Sequence, residues 1–175
     1  MTPAPEFSRV ERVDTIGERP RDVTITADQG ERAALARRFG VVTIERLEAR
    51  FAVRREGGAI VAEGRVAGAV VQACSASGEP VPATVDEAVT LRFVDEDAAA
   101  DEEVELSPDA LDTLPIENGA VDLGEAAAET LALALDPFPR SPDADQALAQ
   151  AGVLGEGEAG PFAGLADLKR KLSGG

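Results

Sequence analysis

Two long alternating segments joined by a pair of glycines constrain this chain more than anything else in it. In residues 47–54, Leu47, Ala49, Phe51 and Val53 share one face, while Glu48, Arg50 and Arg54 share the other. This period of two is the mark of a strand with one side in a core and one in water. Gly57-Gly58 follows, supplying the positive φ angles that a tight hairpin requires. Residues 60–74 return as a second long strand, with Gly64, Gly68 and Ala69 as small residues along it. Such positions predict bends or a bulge in a strongly curved sheet. After Gly78-Glu79-Pro80 the alternation resumes, with Val85, Val89, Leu91 and Phe93 on one face. The expected fold is α+β: a curved antiparallel meander or an open barrel, with two short helices packed on it.

The helices are punctuated by their ends. Asp28 stands as a cap with Glu31 three residues on, Leu35 and Phe39 lie one turn apart, and Gly40 closes the segment. Asp122 and Glu125 repeat the capping-box spacing ahead of a stripe of Leu123, Ala127, Leu131 and Leu135 or Ala134, and Pro137 ends it. Residues 7–16 and 21–26 read as extended segments before the first helix. Leu114-Pro-Ile-Glu-Asn-Gly reads as a short strand ending in an Asn-Gly turn. Residues 140–160 turn to Ser, Pro, Asp, Gly and Ala, the composition of a linker. Beyond it, Phe162, Leu165, Leu168 and Leu172 fall on one side of a short helix beside Lys169-Arg170-Lys171. The expected division is a domain over residues 1–139 and a flexible tail over 140–175. The tail helix suits docking in a groove on a partner, or packing back on its own sheet, or fraying.

The aromatic fraction is only 3%, with no Trp and no Tyr. The core must therefore rest on Val, Leu, Ile and Ala, with Phe as its largest piece. Net charge is −16 and unevenly spread. Through Val70 there are 12 Lys and Arg against 11 Asp and Glu; from Val71 onward there are 5 against 22. Residues 95–105 alone hold seven acids and read as a solvated loop. Nucleic-acid affinity comes from cations that displace counterions, so the chain as a whole repels RNA. A contact with RNA would fall to Arg37, Arg38, Arg46, Arg50, Arg54 and Arg55, and the simpler reading is that these pair with nearby glutamates. No apolar run approaches the ~20 residues that a membrane span needs, and no signal peptide opens the sequence. The expectation is a cytoplasmic protein with no membrane partner.

Little in the sequence suggests catalysis. There is no His, which removes the usual general base, the usual metal ligand and every His-containing triad. Cys74 is the one cysteine and reads as buried and structural in preference to a reactive thiol. The acids of residues 95–105 lack the spacing and central glycine of an EF-hand loop. No phosphate-binding glycine loop is present. The expectation is no catalytic residue, no metal and no cofactor.

Several motifs in order resemble one known family. These are Gly68-Ala-Val-Val-Gln-Ala-Cys74 with Glu79-Pro80-Val after it, and Phe93 with the acidic run behind it. Next come Glu117-Asn-Gly-Ala-Val-Asp122-Leu123-Gly124-Glu125, then Leu133-Ala-Leu-Asp-Pro-Phe-Pro, and at the end Pro161-Phe162-Ala-Gly-Leu165-Ala-Asp-Leu168-Lys169. In that order and spacing they resemble the YceD family, the large ribosomal RNA subunit accumulation proteins. Many members carry Cys-x-x-Cys at the cysteine. Here Ser77 stands at the second position, which leaves this chain without the paired form.

The resemblance implies a non-enzymatic accessory factor in ribosome biogenesis that supports 23S rRNA accumulation or processing. Such an acidic chain would assist by binding a basic large-subunit ribosomal protein or an rRNA-processing protein, its field attracting cationic partners. Contact with the 23S precursor would then be indirect. The expected contacts are Asp101, Glu102 and Glu103 in the acidic run and Phe162, Leu165, Leu168 and Lys169 in the tail. The alternative is a direct RNA-binding protein that uses the arginine-rich sheet face.

Overall fold

Strand alternation and two well-placed turns lay down most of the sheet. The computed structural model describes residues 5–95 and 112–153. In it β1 (Val10–Arg12) precedes a 3₁₀ turn, β2 (Arg21–Thr26), α1 (Gln29–Phe39) and the long strands β3 (Thr43–Glu56), β4 (Ala59–Ala73) and β5 (Pro80–Val94). Then follow β6 (Asp112–Pro115), β7 (Ala120–Asp122), α2 (Leu123–Ala134) and α3 (Ala144–Gln150). Five strands form one sheet in the order β2-β3-β4-β5-β6, and β1 pairs with β7 in a separate ribbon. The fold is α+β, and the sheet is open, with β2 and β6 at its edges.

Two features differ from the sequence reading. The sheet is mixed, because β6 runs parallel to β5, with Leu91 opposite Asp112. The extended segment of residues 7–16 shrinks to three strand residues, since Phe7 leaves the strand line to become a fully buried plug. The register shift of the β3–β4 pair lies on the β3 strand, between Ile44 and Arg46, where these face Val70 and Ala69. Gly64 and Gly68 serve close approach. A Cβ on Gly64 would stand 1.9 Å from the Arg50 carbonyl oxygen, and one on Gly68 would stand 2.5 Å from Leu131 Cδ1.

The chain divides into two compact units. The larger holds, among the described residues, 5–72, 82–95 and 112–137. Its core lies on one face of the sheet, where Leu47, Phe51, Ile60 and Val66 meet Leu35 of α1 and Leu123 and Leu131 of α2, all essentially inaccessible to water. Each such side chain contributes roughly 1.5–3 kcal/mol by leaving water. The other face is solvated and carries Glu48, Arg50, Glu63 and Arg65. Asp28 and Glu31 close the capping box that begins α1, and Gly40 (φ 66°) ends it in the left-handed region. The smaller unit holds, among the described residues, 73–81 and 138–153. It contains the turn after Cys74 and α3, a short helix inside the stretch that reads as a linker; Ala144, Ala147 and Ala149 favour it there.

No described helix is long and apolar enough to cross a membrane. The acidic run of residues 96–105 and the tail from residue 154 lie outside the described residues.

Candidate functional site

The family-motif residues gather at two places, one in each unit. The first is the junction where β7 passes without a loop into α2. Asp122 ends β7 and caps α2. Its Oδ1 accepts from the backbone N–H groups of Gly124 (3.0 Å), Glu125 (3.2 Å) and Arg9 (2.7 Å), and its Oδ2 accepts from the Ser8 hydroxyl. One carboxylate thus satisfies two orphan donors of the helix and ties the helix to the chain leading into β1. Gly124 is needed because that chain passes directly over it: a Cβ there would lie 2.5 Å from the Phe7 carbonyl oxygen. Leu123 is fully buried beneath the junction.

Glu125 departs from the capping-box role that its spacing suggests. Its carboxylate turns outward and accepts a forked pair from Arg38 of α1, at 2.5 and 3.0 Å. Two parallel charge-assisted bonds outweigh one bond back to the cap. Arg38 also reaches Glu6 at 3.1 Å. Beside it, Arg9 forks onto Glu31 at 2.7 and 3.0 Å while lying over the Phe7 ring. Hydrogen bonding from Arg9 holds the Glu31 carboxyl below its ordinary range, against the opposing effect of burial.

The second place is the turn after Cys74, in the smaller unit. Cys74 donates its N–H to the Glu79 carbonyl (2.7 Å), and its own carbonyl accepts from Gly78 (2.8 Å), whose φ is 76°. The buried sulfur accepts two backbone N–H bonds, from Ser141 at 3.3 Å and Ser77 at 3.4 Å. Glu79 Oε2 accepts the Ser77 and Ser141 hydroxyls, each at 3.1 Å. Ser75 donates to the Pro139 carbonyl through both its N–H (2.8 Å) and its hydroxyl (3.1 Å). Pro80 opens β5, where its missing N–H costs the sheet nothing. These bonds fasten the turn to the segment that leads into α3.

The donors, Ser141 first, lower the Cys74 thiol to about 6, with burial acting against them. Thiolate ultraviolet absorbance, titrated through the neutral range, should therefore show a midpoint near 6, against about 8.5 for an unperturbed thiol. A group whose folded value lies below its unfolded one stabilises the fold above the unfolded value and loses that contribution as pH falls through the folded one. The contribution from Cys74 should accordingly fade between about pH 8.5 and 6. An ordinary thiol midpoint in the folded chain would show that the two donors do not hold the sulfur.

Most of the arginines proposed for an RNA face are spent inside the molecule. Arg46 pairs with Glu48 (2.9 Å), Arg54 with Glu56 (2.8 Å) and Glu63 (2.9 Å), and Arg38 with Glu125 and Glu6. Arg55 donates to the backbone carbonyls of Ile16 and Val13. Among the described residues, Arg37 and Arg50 form no ion pair. Asp101, Glu102, Glu103, Phe162, Leu165, Leu168 and Lys169 lie outside the described residues. Among those described, no three acidic or cysteine side chains come together to hold a metal ion. The sequence reading missed Ser8 and Arg9 at the helix junction and Ser141 at the cysteine turn, and named Arg38 without its partner Glu125. Each is joined to its partner by tertiary contact alone, with no local spacing to signal it.

A family model described as "Large ribosomal RNA subunit accumulation protein YceD" matches residues 62–169, more than half of the chain and both of these places. No curated protein and no solved structure matches it.

Proposed function

The chain belongs to the YceD family of large ribosomal RNA subunit accumulation proteins, and from that premise we propose that it supports 23S rRNA accumulation without cutting RNA, by binding a basic protein. The partner is a large-subunit ribosomal protein or a protein of the processing machinery. The observation that carries this reading is the separation of charge. The arginines of the first half are largely consumed in internal pairs with their neighbours. The surplus of acids lies from Val71 onward. Asp95, Glu117, Glu129 and Asp143 from that half form no ion pair among the described residues. Such a surface draws cationic proteins and repels phosphate.

Affinity purification of the tagged chain from its own cells, with and without nuclease, tests the reading. Large-subunit proteins should stay bound after nuclease treatment. Replacing Asp101, Glu102 and Glu103 together by lysine should weaken their recovery. Recovery lost on nuclease treatment would overturn the proposal in favour of direct RNA binding.

A further inference from the structure

In the larger unit, a groove of about 440 Å³ opens between the β1–β7 ribbon, α2 and β6. This is within the range of built ligand sites. Val10, Phe93, Leu114 and Pro115 give it an apolar wall. Val10 keeps 61% of its surface in water. The polar part of the lining carries Glu117, Asp122, Glu125 and Glu129, and among the described residues no Lys or Arg joins them. Asp122 and Glu125 are already engaged, by the helix cap and by Arg38. Glu117 and Glu129 form no side-chain hydrogen bond or ion pair among the described residues. Burial, and then the charge of Glu125, push the Glu129 carboxyl above its ordinary value, and Arg38 offsets this only in part. A cation arriving there would reverse that penalty.

We propose that this groove docks an extended basic segment of another protein, with an apolar side chain against Val10, Phe93 and Leu114 and lysine or arginine heads against Glu117 and Glu129. The inference rests on the reading of a basic protein partner and assigns its place. The lining argues for this occupant over others. A bare cation has no use for the apolar wall, and a phosphate backbone would face the two unpaired carboxylates of Glu117 and Glu129. A side chain that joins an alkyl stem to a positive head matches both parts.

The test is calorimetric titration of the full chain with a short synthetic peptide alternating arginine and leucine. Two controls replace its arginines by glutamate or its leucines by serine. The arginine-leucine peptide should bind and shift the backbone amide resonances of Val10, Ala120 and Ala126. The variant with Glu117→Lys and Glu129→Lys should bind at least about tenfold more weakly. Val10→Ser should weaken the arginine-leucine peptide but not the arginine-serine one. Equal binding by wild type and the double variant would overturn the groove, as would equal binding of the arginine-leucine and arginine-serine peptides. Purification of the double variant from cells separates the two readings. Large-subunit proteins still recovered in full would place their contact elsewhere and overturn the groove alone. Wild type that recovers none would overturn the partner reading, while the peptide titration still decides the groove.

Discussion

Gly64→Ala is expected to destabilise the protein by about 3 kcal/mol or more, read as a drop in the urea midpoint at constant slope. Gly64 faces Phe51 across the β3–β4 pair. A methyl group there would stand 1.9 Å from the Arg50 carbonyl oxygen and 2.9 Å from Phe51 Cα. Both are backbone atoms in the middle of the sheet, so no side-chain rotation relieves the clash. The strands must separate and lose ladder hydrogen bonds, or the mutant must coil differently. Gly58→Ala is the control. It lies in the β3–β4 turn with nothing within 4 Å of its Cβ position, and should change stability by less than about 0.5 kcal/mol. Equal effects at the two positions would mean that chain entropy, and not close approach, dictates glycine at 64.

Asp122→Ala should cost about 2–4 kcal/mol in the same measurement. Loss of a helix cap accounts for roughly 0.5–2 kcal/mol of that. The rest comes from the Arg9 N–H and the Ser8 hydroxyl, each part-buried and left without its acceptor. Asp122→Asn separates these contributions. It keeps an oxygen for the amides of Gly124 and Glu125, so it should recover much of the cap while losing the charge that Arg9 and its neighbours feel. If alanine and asparagine cost the same, the charge would matter more than the cap.

The parts of this fold that were legible in the sequence are those set by near neighbours. Asp28, Glu31 and Gly40 bound α1 because each acts within one helical turn of its target. Gly57 (φ 59°) and Asn118-Gly119 (φ 52° and 71°) make turns because few other residues accept those angles. What the sequence hid depends on distant chain. The parallel pairing of β5 with β6 is invisible to alternation, which fixes a strand's faces but not its neighbours. Glu125 carries the right spacing for a capping box, yet Arg38, 87 residues away, takes its carboxylate. Ser141 reaches the Cys74 sulfur across 67 residues. Ser77 stands three residues after Cys74, and the hydrogen bonds that hold the turn come from serine, glutamate and backbone together.

The short reach of β6 has a consequence for how this protein behaves in a crowd. β6 meets β5 only at residues 91–94, so residues 82–90, which have β4 on one side, have no strand on the other among those described. A bare rim of this kind invites a second molecule to add its own strand and so on without end. This one is poorly suited to such growth. Pro82 offers no N–H, and Asp86 and Glu87 put one carboxylate on each face of the strand, Asp86 paired with Arg65 at 2.7 Å. Two copies approaching rim to rim would bring their Glu87 carboxylates toward one another before any ladder formed. An acidic surface thus doubles as insulation, keeping the sheet from polymerising at concentrations where an uncharged rim would.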